Sequence, residues 1–147
     1  MSQKKIDLLA LYEKKLGSEV KNYTLPPESF SIMQAEIIEY SEDEKSILVK
    51  MPVLKLWLNP YGTMQGGLIV GAMDNAVGPL SMLVAPLNMT RNIDSKLIKA
   101  ITMDTKNIFV RARLVEQKKR RLTFEVSVKD SQGEVYAKAT LTNFIIE

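Results

Sequence analysis

The 147-residue sequence contains no cysteine and no histidine. Without cysteine, disulfides, thiolate nucleophiles and cysteine-ligated zinc sites are excluded. Without histidine, Ser-His-Asp and Cys-His mechanisms and imidazole metal ligands are excluded as well. Any chemistry must therefore come from carboxylates, hydroxyls, amides, lysines or backbone N–H groups, and we expect neither a metal nor a cofactor.

The sequence also lacks a strong excess of charge, because its net charge is only +3. One basic cluster stands out, and two interpretations of it stay open: a solvated charged hairpin, or contact between part of the cluster and a phosphate-bearing ligand. Nucleic acid is not an expected partner, since no aromatic-rich binding motif accompanies the cluster. The cluster consists of Arg111, Arg113, Lys118, Lys119, Arg120 and Arg121.

No apolar run has the pattern of a membrane span or a cleaved signal. The apolar stretch after Lys5 is broken by Asp7 and Glu13, and the longest apolar region contains Asp74 and Asn75. That longer region is typical of a buried helix. We therefore expect a cytoplasmic protein that does not contact a membrane.

The apolar spacing predicts an amphipathic helix over residues 3–16, with Ser2 as its cap and Gly17 at its end. We divide the chain into residues 1–25, this helix and its linker, and residues 26–147, a single domain. Strands are predicted over residues 31–40, 46–52, 100–110, 111–117, 122–129 and 135–144.

Between the strands, Gly66-Gly67 begins an almost wholly apolar segment that ends near Val84 and predicts one long buried helix, which Pro79 should kink or end halfway. Strands joined by short turns indicate an antiparallel sheet, and a helix that is apolar all round suits a sheet curled about it. The predicted class is α+β.

Two features of the long helix point to chemistry. The glycine pair leaves first-turn N–H groups without intrahelical partners, and these groups with the helix dipole can bind an oxyanion. The side-chain amide of Asn59 could supply a second donor. Asp74 is a carboxylate in the middle of an apolar helix, and its burial there would cost several kcal/mol unless it is hydrogen-bonded or faces a cavity.

Geometry separates these two features. Eight residues place Asp74 about 12 Å along the axis from Gly66, whereas reacting groups need contacts of roughly 3 Å. One helix cannot bring both to a single carbon. If this is an active site, we expect it to lie across the interface of a dimer.

The pattern of Asn59, Gly66-Gly67 and Asp74 closely resembles the hot-dog-fold acyl-CoA thioesterases of the phenylacetyl-CoA and human thioesterase-superfamily type. The resemblance covers residues 30–144 and implies a hot-dog fold, in which an antiparallel sheet wraps one long central helix. It also implies a homodimer, or a dimer of dimers, that hydrolyses the thioester of CoA or of an acyl-carrier protein.

By the same resemblance, Asn59 and the Gly66 N–H polarise the thioester carbonyl, and Asp74 of the other subunit attacks it or activates a water. Thr102 aligns with a hydroxyl that the family uses on the strand after the helix. Gly67 is expected to contact substrate. The acyl channel is expected to include Met73 and Val77, and the candidates for CoA phosphates are Lys106, Arg111 and Arg113.

One departure from the family matters: Gln65 stands where the family has histidine before the glycines. Glutamine can hold the loop by hydrogen bonds but cannot titrate near neutral pH. An acyl-CoA or fatty-acyl binding protein without catalysis therefore stays as the alternative, and a hot-dog hydratase is a weaker one. Purely structural roles also stay open for the glycine pair, for Asp74 and for Thr102.

Overall fold

The computed structural model describes residues 5–146. Its first helix, α1, spans Leu8–Leu16 and is shorter at its start than predicted, because the Asp7 carboxylate caps it by accepting from the Ala10 N–H at 3.3 Å. Gly17 ends the helix with a φ of 58°, as predicted. The predicted cap, Ser2, lies outside the described residues.

Helix α1 packs onto the same core as the rest of the chain. Leu8 and Tyr12 are buried there, and burial raises the pKa of the Tyr12 phenol. The N–H of Ile6 also donates to the carbonyl of Ile37 at 3.0 Å, which ties the segment before α1 to the first strand.

The six strands form one antiparallel sheet in the order β1-β2-β4-β5-β6-β3. Strands β1 and β3 are therefore its edges. The strands span Glu36–Ser41 (β1), Ser46–Pro52 (β2), Asn88–Leu97 (β3), Asn107–Lys118 (β4), Arg121–Lys129 (β5) and Val135–Ile145 (β6).

The first predicted strand, residues 31–40, is wrong in its first half. A short helix, α2, spans Glu28–Ile32 after Pro27 and buries Phe30, and β1 begins only at Glu36. Proline before a helix start favours this local structure, and the chain needs a turn there to bring Phe30 onto the core.

The region after the long helix is also corrected. Strand β3 was not predicted, and the two strands predicted over 100–117 are one strand, β4, preceded by a 3₁₀ turn at Met103–Thr105. An edge strand buries little apolar surface, so β3 lacks the alternation of apolar residues from which β5 and β6 were predicted. Lys106, with a φ of 64°, redirects the chain into β4.

The long helix, α3, spans Gly66–Val84 as predicted and continues through Pro79. By length and composition it could cross a membrane, but half of it is buried within the fold, as in the core helix of a folded domain. Its buried side chains pack on the inner face of the sheet, which wraps around it. Among these, Met73, Ala76, Val77 and Leu80 have no exposed surface.

The two edges of the sheet differ. Edge β1 receives the hydrogen bond from Ile6, whereas the outer edge of β3, ten residues long, has no backbone partner among residues 5–146. A long unpaired edge is a template for pairing with another chain.

Candidate functional site

The start of α3 presents free donors. Within the described chain, the N–H groups of Gly66 and Gly67 have no backbone acceptor, while those of Leu68 and Ile69 donate to the carbonyl of Gln65. Gln65 itself is exposed, and its side chain makes no capping hydrogen bond to the helix. This end of the helix can therefore bind a negatively charged oxygen.

The start of α3 is fixed on two sides. The Gln65 N–H donates to the Trp57 carbonyl and the Met64 N–H to the Ile101 carbonyl, both at 2.8 Å. On the third side lies the end of β3: a Cβ built on Gly66 would lie only 2.9 Å from Leu97 Cδ1. A side chain at this position would therefore require the exposed Leu97 side chain to shift.

Asn59 lies in the loop before α3, where its side chain closes a tight turn. Its Oδ1 accepts from the N–H groups of Tyr61 at 3.0 Å and Thr63 at 3.1 Å, and its Nδ2 donates to Thr63 Oγ1 at 2.8 Å. One hydrogen of that amide has no partner within the described chain. Asn59 therefore shapes the loop and retains one donor.

Thr102 lies beside this loop rather than on the strand that follows α3. It pairs with Thr63 in an isolated antiparallel bridge, and its hydroxyl accepts from the Asp104 N–H at 3.3 Å, capping the 3₁₀ turn. Lys106 is exposed at the end of the same turn. The chain thus brings Asn59, Gln65, Gly66 and Thr102 to one region.

Asp74 lies outside that region, on a half-buried face of α3 next to β3. Its Oδ1 accepts a hydrogen bond of 2.9 Å from the hydroxyl of Thr90, which we call the Asp74–Thr90 pair. The next residue, Asn75, holds α2 against the helix by donating to the Ser29 carbonyl at 3.0 Å. Among residues 5–146, one oxygen of the Asp74 carboxylate is engaged and the other has no hydrogen-bond partner.

Thr90 is the functional candidate that the sequence did not reveal. Its role depends on a contact across sixteen residues between α3 and an edge strand with weak apolar alternation. The only sequence signal was indirect, namely that a carboxylate within an apolar helix needs a hydrogen-bond partner.

A second polar side chain, that of Asn143, lies beside Thr90 on the inner face of the sheet, because Asn143 is the cross-strand partner of Thr90. Asn143 is 2% exposed and donates through Nδ2 to Asn88 Oδ1 at 2.8 Å. Asn88 in turn donates to the Pro86 carbonyl at 2.8 Å, which fixes the orientation of both amides. Asn143 Oδ1 is left as a buried acceptor with no partner within the described chain.

Four of the predicted substrate contacts lie in the core or on the outer face of the sheet. Met73 and Val77 are wholly buried between α3 and the sheet. Arg111 and Arg113 lie on the opposite, outer face of the sheet, where Arg111 Nη2 is 2.8 Å from Glu39 Oε2. Met73 adjoins Asp74 in the sequence, but its side chain is buried in the core. The substrate-binding roles of all four residues stay predictions.

No protein-family model and no curated protein matches the sequence. Solved structures do match it. A candidate thioesterase related to phenylacetic acid degradation, from Ralstonia eutropha JMP134, has a TM-score of 0.78 at 17% identity, over 92% of this chain and 98% of that one. The PaaI protein of the E. coli phenylacetic acid degradation operon has a TM-score of 0.77 at 14% identity, over 96% and 97%.

A hypothetical thioesterase protein from Streptococcus pneumoniae TIGR4, solved with coenzyme A, has a TM-score of 0.70 at 21% identity, over 76% of this chain and 85% of that one. Two further structures of it each carry one alanine substitution, of an aspartate and of a threonine sixteen positions later. These likenesses establish the fold: the chain is an α+β hot-dog domain with an added N-terminal helix, as predicted.

Proposed function

We propose that this protein hydrolyses acyl-CoA-type thioesters, in a site that Asp74 of one copy completes with the start of α3 of a second copy. The observation that carries the proposal is the Asp74–Thr90 pair, a half-buried carboxylate held by one hydroxyl beside the open edge of the sheet. A cytoplasmic homodimer is part of the proposal.

The arrangement of α3 and β3 supports a shared site. The two elements run side by side in opposite directions, so that Asp74 contacts Thr90 near the start of β3 and Gly66 approaches Leu97 at its end. Antiparallel pairing of two β3 edges about a twofold axis brings the start of one strand beside the end of the other. Asp74 of one copy then lies beside Gly66 of the second.

The chemistry fits the groups available. A thioester carbonyl bound at the start of α3 accepts from the Gly66 N–H, and the helix dipole stabilises the negative charge that develops on its oxygen. The carboxylate of Asp74 removes a proton from an attacking water, or attacks the carbonyl itself, expelling the thiolate and forming an anhydride that water then hydrolyses. The products are a carboxylic acid and the free thiol.

The named relatives add support. The S. pneumoniae thioesterase protein was solved with CoA, and the aspartate and threonine substituted in it are separated by the same sixteen positions as Asp74 and Thr90. A site built from a helix carboxylate and a hydroxyl on the following strand is therefore part of the proposal, with Thr90 in place of Thr102 as the partner of Asp74.

The alternative is a protein that binds acyl-CoA without hydrolysing it. Gln65 favours this alternative, because it cannot supply a titrating group at the start of α3. Thiol release from short, long and aromatic acyl-CoAs separates the two functions. Tight binding without release by the unaltered protein would establish the alternative.

The principal test is Asp74→Asn, which keeps the shape and removes the base. We expect thiol release to fall about 10²- to 10⁴-fold, the usual contribution of a general base. Gel filtration should give the same oligomer as the unaltered chain. Full activity in this variant would rule out the mechanism.

Subunit mixing tests the shared site directly. The second variant is Gly66→Pro, which removes the proposed donor while proline remains acceptable at the first position of a helix. Mixed dimers of Asp74→Asn and Gly66→Pro chains contain one intact site, so random reassociation should restore roughly a quarter of the original activity. If mixed dimers form and activity stays absent, the site is not shared.

A further inference from the structure

A basic pocket lies on the outer face of the sheet, at the turn between β4 and β5. It is an open cavity of about 890 Å³, in which five cationic side chains surround a phenyl ring that is 39% exposed. The residues that line it, and define the basic pocket, are Arg91, Lys118, Lys119, Arg120, Arg121 and Phe144.

The topology of the sheet assembles this pocket from three separate segments. The tight β4–β5 turn brings Lys118 and Arg121 opposite each other, and Arg121 pairs in register with Phe144 on β6. Phe144 also pairs with Met89 at the start of β3. Three distant parts of the sequence thus converge on one aromatic ring.

Positive charge in the basic pocket is only partly balanced. Arg121 is 3.9 Å from a carboxylate oxygen of Glu116, and Arg120 donates to the Ile145 carbonyl at 3.1 Å. No described carboxylate lies within ion-pair distance of Arg91, Lys118 or Lys119. These three cations are available to an anionic ligand.

The neighbouring surface around Arg111 and Arg113 is different. Four carboxylates lie among its cations, and Arg111 is already paired with Glu39. A phosphate there would meet repulsion as well as attraction. Of these two basic surfaces, the basic pocket therefore suits a phosphate better. The four carboxylates belong to Glu39, Glu44, Asp94 and Glu125.

One residue connects the basic pocket with the proposed site. Arg91 is the extra residue of a β-bulge in β3, where the register shifts between Thr90 and Asn92, and Thr90 bonds to Asp74. A bulge bends a strand, interrupts its ladder and re-aims a side chain. The bulge thus places the cation of Arg91 next to Thr90, whose hydroxyl contacts the Asp74 carboxylate.

We infer that the basic pocket binds the 3′-phosphorylated ADP end of CoA, an inference that rests on the proposed function. The adenine stacks on Phe144, and the phosphates accept charge-assisted hydrogen bonds from Arg91, Lys118 and Lys119. The flexible pantetheine arm passes around the end of the sheet, beside the start of β3, and carries the thioester to Asp74. The substrate class is then CoA thioesters rather than acyl-carrier thioesters.

Kinetics with the same acyl group carried on CoA and on N-acetylcysteamine test the inference. In Lys118→Gln/Lys119→Gln, we expect the KM for acyl-CoA to rise about ten-fold, since two solvent-exposed ion pairs with phosphate, each worth up to about five-fold in affinity, are lost. The KM for the same acyl group on N-acetylcysteamine should not change, because that thioester has no nucleotide. The matched control, Lys96→Gln/Lys138→Gln, removes the same charge from the outer face and should change neither KM.

A binding measurement separates this inference from the proposed function. Adenosine 3′,5′-bisphosphate should bind to the Asp74→Asn variant by calorimetry, and Phe144→Ala in that background should weaken binding about ten-fold. Hydrolysis with an unchanged KM for acyl-CoA in the double lysine variant would overturn the inference and leave the function standing. A rise in KM confined to acyl-carrier thioesters would overturn it too. Bisphosphate binding without hydrolysis of any thioester would support the pocket alone.

Discussion

The start of α3 and the middle of the same helix are built in different ways. At the start, the donors are backbone N–H groups, held by a loop that is local in sequence and by hydrogen bonds to Trp57 and Ile101. In the middle, the acceptor is one side chain, and its orientation depends on a single hydroxyl sixteen residues away.

This difference has a functional consequence. Backbone donors fixed by the fold cannot be removed by most substitutions, whereas the orientation of a carboxylate changes with the loss of one partner. The start of α3 is therefore the rigid half of the proposed site, and the Asp74–Thr90 pair is the adjustable half. Substitutions in the two halves should therefore lower kcat by different amounts.

The larger effect is expected from Gly66→Pro, compared with Gly66→Ala. Both add a Cβ near Leu97 Cδ1, and that flexible side chain must shift for either. Only proline removes the N–H, so we expect kcat to fall about 10²- to 10³-fold in Gly66→Pro relative to Gly66→Ala. Equal rates for the two would show that the N–H of Gly66 does not stabilise the oxyanion.

A smaller effect is expected from Thr90→Val, which keeps the shape of the side chain and removes its hydroxyl. Losing a hydrogen bond to a charged group should lower kcat about 10- to 100-fold, with little change in KM, because the carboxylate loses its orientation. Thr90→Ser keeps the hydroxyl and serves as the matched control. If valine and serine variants are equally active, the pair is only structural.

The same contrast explains what the sequence could predict. Gly66-Gly67, the continuous apolar helix and the mid-helix Asp74 are patterns within one segment, so the sequence could predict α3 and name the candidates for both halves of the proposed site. The alternation in β5 and β6 was likewise clear, because one face of each strand is buried. These features need only local periodicity.

The features that the sequence did not predict depend on contacts between residues distant in sequence or lie on an edge strand of the sheet. Strand β3 buries too little apolar surface to show alternation, so the sequence could not predict that Thr90 on this strand bonds to Asp74. Helix α2 is only five residues long and is held by Asn75 from another element. The basic pocket needs Arg91, which a bulge in the unpredicted strand supplies.

The smallest effect is expected at the turn between β5 and β6, far in sequence from both halves of the site. Asp130 Oδ1 accepts from the N–H groups of Gln132 at 2.9 Å and Glu134 at 3.0 Å, and its Oδ2 accepts from the Tyr136 hydroxyl at 3.1 Å. The bond from the Glu134 N–H contributes most, and together these bonds keep the pKa of Asp130 below its ordinary 3.8.

A carboxyl group whose pKa is lower in the folded than in the unfolded state stabilises the fold at pH values above its unfolded-state pKa. That contribution is lost as the pH falls through its folded-state pKa. Asp130→Asn should therefore flatten the decline of the free energy of unfolding below about pH 4, measured by urea denaturation at pH 7 and at pH 3. Thiol release at neutral pH should not change. A loss of activity comparable to that of Thr90→Val would mean that kcat follows the stability of the whole sheet, and the contrast between a rigid and an adjustable half would no longer hold.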